Sequence, residues 1–172
     1  MATTLVDIFD PAIVGDLRDF EVKNIVMAPK YWKKFPGDIH LNWKHEPFGT
    51  AHIDSIPDNQ YGVYSFVIGG GISGHPACGC LLYVGKAADQ SFKNRYAQYL
   101  KERKRRRRTD RIKVAWALTQ WDGHISFYYA PVPNADANAI DRIESELLKA
   151  LLPPLNEQFP AEVRDKVKIL RG

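Results

Sequence analysis

The chain has 172 residues, of which 45% are hydrophobic and 12% aromatic, and its formal net charge is +4. This length and composition suffice to bury a core without metal or disulfide support, so one domain is expected. No apolar run is long enough to span a bilayer, Met1-Ala2-Thr3-Thr4 does not resemble the start of a signal peptide, and the cysteines, Cys78 and Cys80, are too close for an ordinary disulfide loop. We therefore expect a cytoplasmic protein with no membrane partner.

Residues 1–60 carry weaker signals than the rest of the chain. A modest helical pattern follows Asp10-Pro11, and residues 26–50 are rich in aromatic and turn-forming residues without a clear period. Their rings suit either packing on a core or stacking on nucleic acid bases, and packing is the commoner use. We expect residues 1–60 to form an N-terminal extension that packs on the core.

Residues 61–68 and 80–86 are two β-type runs on either side of a glycine-rich segment, a pattern that predicts a hairpin. Side chains alternate between the two faces of a strand, so Tyr64 shares a face with Gly62. If the strands pair antiparallel, Tyr64 and Tyr83 approach each other across them.

A helix is predicted after the hairpin, with candidate N-caps at residues 89–91. Phe92, Tyr96, Tyr99 and Leu100 form one stripe along it, and Arg95 lies beside this stripe, one turn before Tyr99.

A basic tract follows this helix directly. Residues 101–108 contain seven cations and one anion, which leaves the remainder of the chain slightly acidic. A phosphate backbone is the natural counterpart, and we expect the tract to bind nucleic acid; a solvated helix end or a localisation signal are the alternatives. The candidate nucleic-acid-binding residues are Lys101, Arg103, Lys104, Arg105, Arg106, Arg107, Arg108 and Arg111.

The chain after the tract completes a small sheet of about three strands. Residues 112–118 are compatible with a strand or a short helix, Asp122-Gly123 predicts a tight turn, and residues 124–129 predict a strand. Residues 157–172 form a C-terminal tail in which the spacing of Val163, Val167 and Leu170 indicates a short helix.

The helix predicted from Asn134 or Asp136 to about Leu152 carries a carboxylate on its apolar face. Glu144 falls within the inward stripe, whereas Glu146 lies on the polar face. The stripe consists of Ile140, Ile143, Leu147, Leu148 and Leu151. A buried carboxylate is costly unless a cation meets it, so Glu144 is predicted either to hold a metal or to form an ion pair with Arg95 or Lys86.

Five elements occur in order between residues 61 and 156. They are Gly62-Val63-Tyr64, then Leu82-Tyr83-Val84-Gly85-Lys86, then Arg95 with Tyr99 four residues later, then Glu144, and Asn156 twelve positions after it. Together they resemble the GIY-YIG nuclease family. The resemblance implies that residues 61–156 are a nuclease core of α/β (α+β) class, with a small antiparallel sheet flanked by helices. Residues 69–79 lengthen the interval between the motif tyrosines relative to the family.

These residues suit metal-dependent hydrolysis of a phosphodiester bond. We expect Glu144 to hold Mg²⁺ (or Mn²⁺), with water and phosphate oxygens completing the shell. Lys86 is expected to lower the pKa of Tyr64 or Tyr83, so that one of the two acts as general base. Arg95 is expected to contact the scissile phosphate.

The resemblance adds two residues to this site. Tyr99 stands where relatives carry tyrosine or histidine, which implies a positioning or relay role, and Asn156 is implied to hold helix and turn together through its amide. The expected function is a stand-alone DNA endonuclease, by analogy of restriction or mobile-element type, with RNA as an open alternative substrate and a homodimer as an open assembly. The alternatives are a catalytically silent nucleic-acid-binding module and a nuclease toxin or effector.

Overall fold

A four-stranded antiparallel sheet forms the centre of the molecule, in the order β1-β4-β2-β3. The computed structural model describes residues 25–69, 79–104 and 111–171. Its strands are β1 (Lys44–Pro47), β2 (Gly62–Ile68), β3 (Cys80–Ala87) and β4 (Ile125–Pro131). Its helices are α1 (Pro29–Lys33), α2 (Phe92–Lys104), α3 (Ile112–Gln120), α4 (Ala137–Leu151) and α5 (Ala161–Arg171), with a 3₁₀ helix at Thr50–Ser55. The predicted α+β class, with an antiparallel sheet flanked by helices, is confirmed.

The predicted hairpin is the pair β2 and β3. Its register places Tyr64 opposite Gly85 and Phe66 opposite Tyr83. The register shifts after Phe66, as at a β-bulge, and this places the neighbours Leu82 and Tyr83 against the same apolar cluster. The rings of Tyr64 and Tyr83 approach to 6.3 Å between centroids, as the alternation predicted.

The fourth strand, β1, corrects the prediction of about three strands. Residues 44–47 pair with β4, Lys44 lying opposite Tyr129, and thereby join the sheet instead of merely covering it. Most of β1 is exposed because it is an edge strand, so its sequence shows no apolar alternation. Packing of the aromatic segment on the core is confirmed for Phe35, Trp43 and Phe48. The helical pattern after Asp10-Pro11 lies outside the described residues.

One side of the sheet, which we call the tyrosine face, carries Tyr64, Phe66 and Tyr83. It packs against α2 and α3 in an aromatic cluster that includes the stripe predicted for α2. Phe92, Tyr96, Tyr99 and Leu100 are all buried. Each large side chain buried in this way contributes on the order of 1.5–3 kcal/mol, so aromatic packing defines the geometry of this face.

The opposite side, which we call the carboxylate face, carries Val63, Val84 and Lys86 and is covered by α4. The inward stripe predicted for α4 is confirmed: Ile140, Ile143, Leu147 and Leu148 are buried, with Leu151 packed against the same cluster. The tail helix α5 is confirmed as well. Its Val163 and Val167 are buried, but Leu170 is exposed and does not share their contact.

Local signals in the sequence account for where the helices begin. The Ser91 hydroxyl oxygen accepts the backbone N–H of Asn94 at 3.2 Å, and the Asp136 carboxylate accepts that of Ala139 at 2.8 Å, so both residues cap a helix as predicted. Residues 112–118 are helical. The turn at Asp122-Gly123 is present, with Gly123 at φ +82°, but it joins a helix to a strand and not two strands.

None of the helices in the described part of the chain has both the length and the apolarity needed to cross a membrane.

Candidate active site

A cleft of about 440 Å³ opens at the β3 edge of the sheet, where the two faces meet. Tyr83 of β3, Glu144 of α4 and Asn156 of the following turn all line it. Arg111, which precedes α3, lines the same cleft. Sequence elements that are far apart in the chain thus converge on one cavity.

The other two predicted tyrosines lie buried on the tyrosine face, and they contact each other directly. The hydroxyl oxygens of Tyr64 and Tyr99 are 3.0 Å apart, and both side chains are at most 1% exposed. Gly85 makes this arrangement possible, because a Cβ atom at that position would lie 2.7 Å from the Tyr64 hydroxyl. Tyr83 is only partly buried, so it is the motif tyrosine that a ligand in the cleft meets.

Burial decides the acidity of the two inner tyrosines. It raises the pKa of Tyr64 well above the usual range, and the charges of Arg95 and Arg111 offset only part of the rise. Burial also raises the pKa of Tyr99, helped by Tyr64 and Tyr83 and opposed by Arg111. The sequence predicted that Lys86 lowers the pKa of Tyr64 or Tyr83. For Tyr64 this is wrong, because Lys86 lies on the opposite face of the sheet, where it pairs with Asp141 and Glu144. For Tyr83 it stays a prediction.

Lys86 bridges two carboxylates of α4. Its Nζ atom lies 2.9 Å from Asp141 Oδ1 and 3.3 Å from Glu144 Oε2. Burial lowers the pKa of Lys86, but the two carboxylates outweigh that effect and the net shift is upward. Burial raises the pKa of Glu144, with Lys86 opposing the rise. The ion pair proposed from the sequence as an alternative for Glu144 is therefore present, with Lys86 as its partner.

The charge of Arg95 acts on a residue of each face of the sheet, Tyr64 on one and Glu144 on the other. Its charge lowers the pKa of Tyr64 and also that of Glu144. One guanidinium nitrogen donates to Gln98 Oε1 at 3.2 Å, while Nε is buried and has no hydrogen-bond partner among the described residues. A buried donor without a partner is costly, and a phosphate oxygen is an acceptor that suits it.

Asn156 fastens the turn after α4 to strand β3. Its Oδ1 accepts the Val84 N–H at 3.0 Å, and its Nδ2 donates to the Val84 carbonyl at 2.8 Å. Arg171 of α5 holds the same turn by donating to four carbonyl groups, those of Leu152, Pro153, Pro154 and Asn156. The geometry gives Asn156 a positioning role.

Two of the described candidate nucleic-acid-binding residues, Arg103 and Arg111, are already engaged within the protein. Arg103 pairs with Asp122 and lies over the Phe48 ring, and Arg111 contacts Tyr99 and Glu102, while Lys101 is exposed. The Lys104 side chain and the residues Arg105, Arg106, Arg107 and Arg108 lie outside the described residues. Nucleic acid binding by the tract therefore stays a prediction.

The carboxylates near the cleft could supply only one or two ligands to a hard divalent cation. In the ranges 25–69, 79–104 and 111–171, no group of three or more His, Cys, Asp and Glu side chains is placed to hold a metal. Mg²⁺ commonly takes one or two carboxylates and completes its shell with water and phosphate. Glu144 satisfies that minimum. Asp141 binds Lys86 more closely than Glu144 does, so the ammonium keeps a partner if Glu144 turns to a metal.

Two residues at this site, Asp141 and Glu102, were not predicted from the sequence. Asp141 lies one turn before Glu144, and that helical spacing would have indicated a second carboxylate at Lys86. Glu102 holds Arg111 at 2.8 Å, and its place as the one anion within the 101–108 run is the available signal.

No protein-family model, curated protein or solved structure matches the chain. The resemblance to the GIY-YIG nucleases therefore depends on the motif residues alone.

Proposed function

We propose that the chain is a metal-dependent DNA endonuclease of the GIY-YIG type, with its active site in the cleft at the β3 edge. The observation that carries the proposal is the convergence of Tyr83, Glu144 and Asn156, from separate sequence elements, on one cavity. Arg95 is not among the described residues that line the cleft, but it supports the proposal because its charge acts on both Tyr64 and Glu144. The expected setting is the cytoplasm, with RNA as a second candidate substrate.

In this proposal each residue has a role set by its position. Tyr83, as the phenolate, orients the attacking water and accepts its proton, because it is the motif tyrosine that lines the cleft. Arg95 donates to the phosphate, and Lys86 favours the ionised form of the Glu144 carboxyl group and orients it. Tyr64 and Tyr99 support Tyr83 from the buried side. Glu144 would hold Mg²⁺ or Mn²⁺, which when bound stabilises the charge that develops on the leaving oxygen.

One observation favours a second candidate, a catalytically silent module that binds nucleic acid. The ion pair between Lys86 and Glu144 compensates the buried carboxylate without any metal. A module of this kind would keep the fold and the basic tract while leaving the cleft without chemistry.

Plasmid cleavage separates the two candidates. Supercoiled plasmid is incubated with the protein with and without Mg²⁺ or Mn²⁺, and nicked and linear products are quantified. We expect metal-dependent cleavage, lowered by about 100-fold or more in Glu144→Gln and in Arg95→Ala. Glu146→Gln is the matched control, because Glu146 lies on the same helix but pairs with Lys149 at 2.5 Å.

The outcomes of this assay are distinct. A wild-type protein that binds DNA but cuts neither plasmid nor single-stranded DNA nor RNA in either metal supports the silent module. Equal losses in Glu144→Gln and Glu146→Gln would contradict the assignment of Glu144.

The basic tract provides a separate test of the nucleic acid partner. Replacing Arg105, Arg106, Arg107 and Arg108 together by alanine should weaken DNA binding and flatten its salt dependence, because each lost phosphate contact lowers the slope of log K against log salt by about 0.9. Turnover at saturating substrate should persist. Binding is measured by fluorescence anisotropy across a salt series, and an unchanged slope would exclude the tract from the interface.

A further inference from the structure

Among the described residues, Arg111 is a cation in direct hydrogen-bond contact with a buried tyrosine, although it belongs to no motif element. We propose that Arg111 is a positioning residue of the active site, which orients the hydroxyl group of Tyr99 and, through it, that of Tyr64. This inference builds on the proposed nuclease function, but its central contact is a property of the structure itself.

The guanidinium of Arg111 is held between two side chains of α2. Nη1 donates to the Tyr99 hydroxyl oxygen at 2.8 Å, and Nη2 donates to Glu102 Oε1 at 2.8 Å. Tyr99 and Glu102 are three residues apart on one helix, so they present their oxygens on the same side. A planar guanidinium with parallel donors matches this pair, and lysine, with a single nitrogen, does not. Glu102 therefore fixes the direction from which Arg111 approaches Tyr99.

Arg111 favours one direction of the hydrogen bond between the Tyr99 and Tyr64 hydroxyl groups. A guanidinium can only donate, so the Tyr99 oxygen accepts from Arg111. The Tyr99 oxygen has a second acceptor site, but with Arg111 on the first one the favoured arrangement is that in which Tyr99 donates its proton to the Tyr64 oxygen, 3.0 Å away. In that arrangement the Tyr64 proton is not used in the bond to Tyr99. Without Arg111 the bond between the two tyrosines can run in either direction.

The charge of Arg111 supports the same role, because it favours the ionised form of the tyrosines. Tyr64 and Tyr99 are both fully buried. Among the described residues, the charged groups that act on the pair are Arg95 and Arg111, with Tyr83 as the neighbouring phenol. Glu102 neutralises part of the Arg111 charge. Negative charge on the tyrosine cluster, which the proposed base Tyr83 carries before it accepts a proton, is therefore stabilised from two sides, by Arg95 and by Arg111.

A double-mutant cycle tests the proposal through activity. Arg111→Met and Tyr99→Phe should each lower kcat, by up to about 100-fold, with little change in KM. Because Arg111 acts through the Tyr99 hydroxyl, adding Arg111→Met to Tyr99→Phe should cause little further loss. Fully multiplicative losses would overturn the proposal. Arg142 of α4 is exposed and pairs with Asp38, so Arg142→Met is the control that leaves kcat unchanged.

A second readout does not depend on activity. In protein labelled with ¹³C at the tyrosine Cζ atoms, Arg111→Met should shift the resonance of Tyr64 as well as that of Tyr99. A shift confined to Tyr99 would overturn the proposal even if the protein cuts DNA. If the wild type does not cut DNA at all, the proposed function fails, and the Tyr64 resonance alone decides the role of Arg111.

The conservative variant guards against a simple folding defect. Arg111→Lys keeps the charge but loses the two-pronged contact, so it should retain the melting temperature and still shift the Tyr64 resonance. A Tyr64 resonance that matches the wild type in Arg111→Lys would show that charge alone suffices, which contradicts orientation by the guanidinium.

Discussion

Tyr64 and Tyr99 on the tyrosine face are fully buried and fixed by surrounding rings, whereas Lys86, Asp141 and Glu144 on the carboxylate face are held by ion pairs that reach solvent. Packed aromatic side chains have few alternative positions, because a close-packed core is hard to compress or rearrange. Partly exposed ion pairs respond to pH, salt and bound cations. The comparison indicates that one face supplies fixed geometry and the other supplies a site that can exchange partners.

The largest effect should come from breaking the tyrosine face at Gly85. In Gly85→Ala the new Cβ atom would lie 2.7 Å from the Tyr64 ring and 2.9 Å from the Tyr83 ring. Tyr64 also packs against Phe127 and cannot retreat freely. We expect the free energy of unfolding to fall by about 1–3 kcal/mol, measured by urea denaturation.

Gly37→Ala is the matched control for this substitution. No atom lies within 4 Å of the Cβ position at Gly37, so the variant should be close to wild type in stability. If Gly85→Ala is as stable as Gly37→Ala, the tyrosine face relaxes easily and the contrast between the two faces is wrong.

Features that depend on local chemistry were accessible from the sequence. The stripe on α2, the inward face of α4 and the caps at Ser91 and Asp136 follow from short-range spacing. The motif glycines have physical reasons as well: Gly62 has φ +153° and a Cβ there would meet the Ala130 carbonyl, while Gly85 makes room for Tyr64. Strand β1 was missed because an exposed edge strand needs no apolar alternation.

Features that depend on long-range register were not accessible. The sequence does not show that Lys86 faces α4 while Tyr83 faces the aromatic cluster, since this follows from the pairing of β3 and its register shift. It also does not distinguish Arg111 from the other cations near the tract. Only the folded chain brings Arg111 to Tyr99 and Glu102.

A smaller effect, with a defined pH dependence, should come from removing Lys86. In Lys86→Met the partly buried Glu144 loses its ammonium partner at 3.3 Å. The Lys86 and Glu144 side chains are 34% and 18% exposed, so solvent screens the pair and the loss of stability near neutral pH should be about 1 kcal/mol. Lys93→Met is the control, because its partner Asp54 is 91% exposed.

The sign of the pH dependence follows from the raised pKa of Glu144. Burial raises the pKa of Glu144 above that of an ordinary glutamate, so ionisation of Glu144 destabilises the folded protein. This penalty grows as the pH rises from the pKa of an ordinary glutamate through the pKa of Glu144 in the folded protein. Removing Lys86 raises the folded pKa of Glu144 further and enlarges the penalty at neutral pH. At a pH near the ordinary pKa less of the carboxyl group is ionised in the folded protein, so the penalty there is smaller. The destabilisation by Lys86→Met, measured from urea denaturation, should therefore be larger at about pH 7.5 than at about pH 5. An equal loss at both pH values would mean that Lys86 does not compensate the charge of Glu144, and the carboxylate face would then lack the exchangeable ion pair that distinguishes it from the tyrosine face.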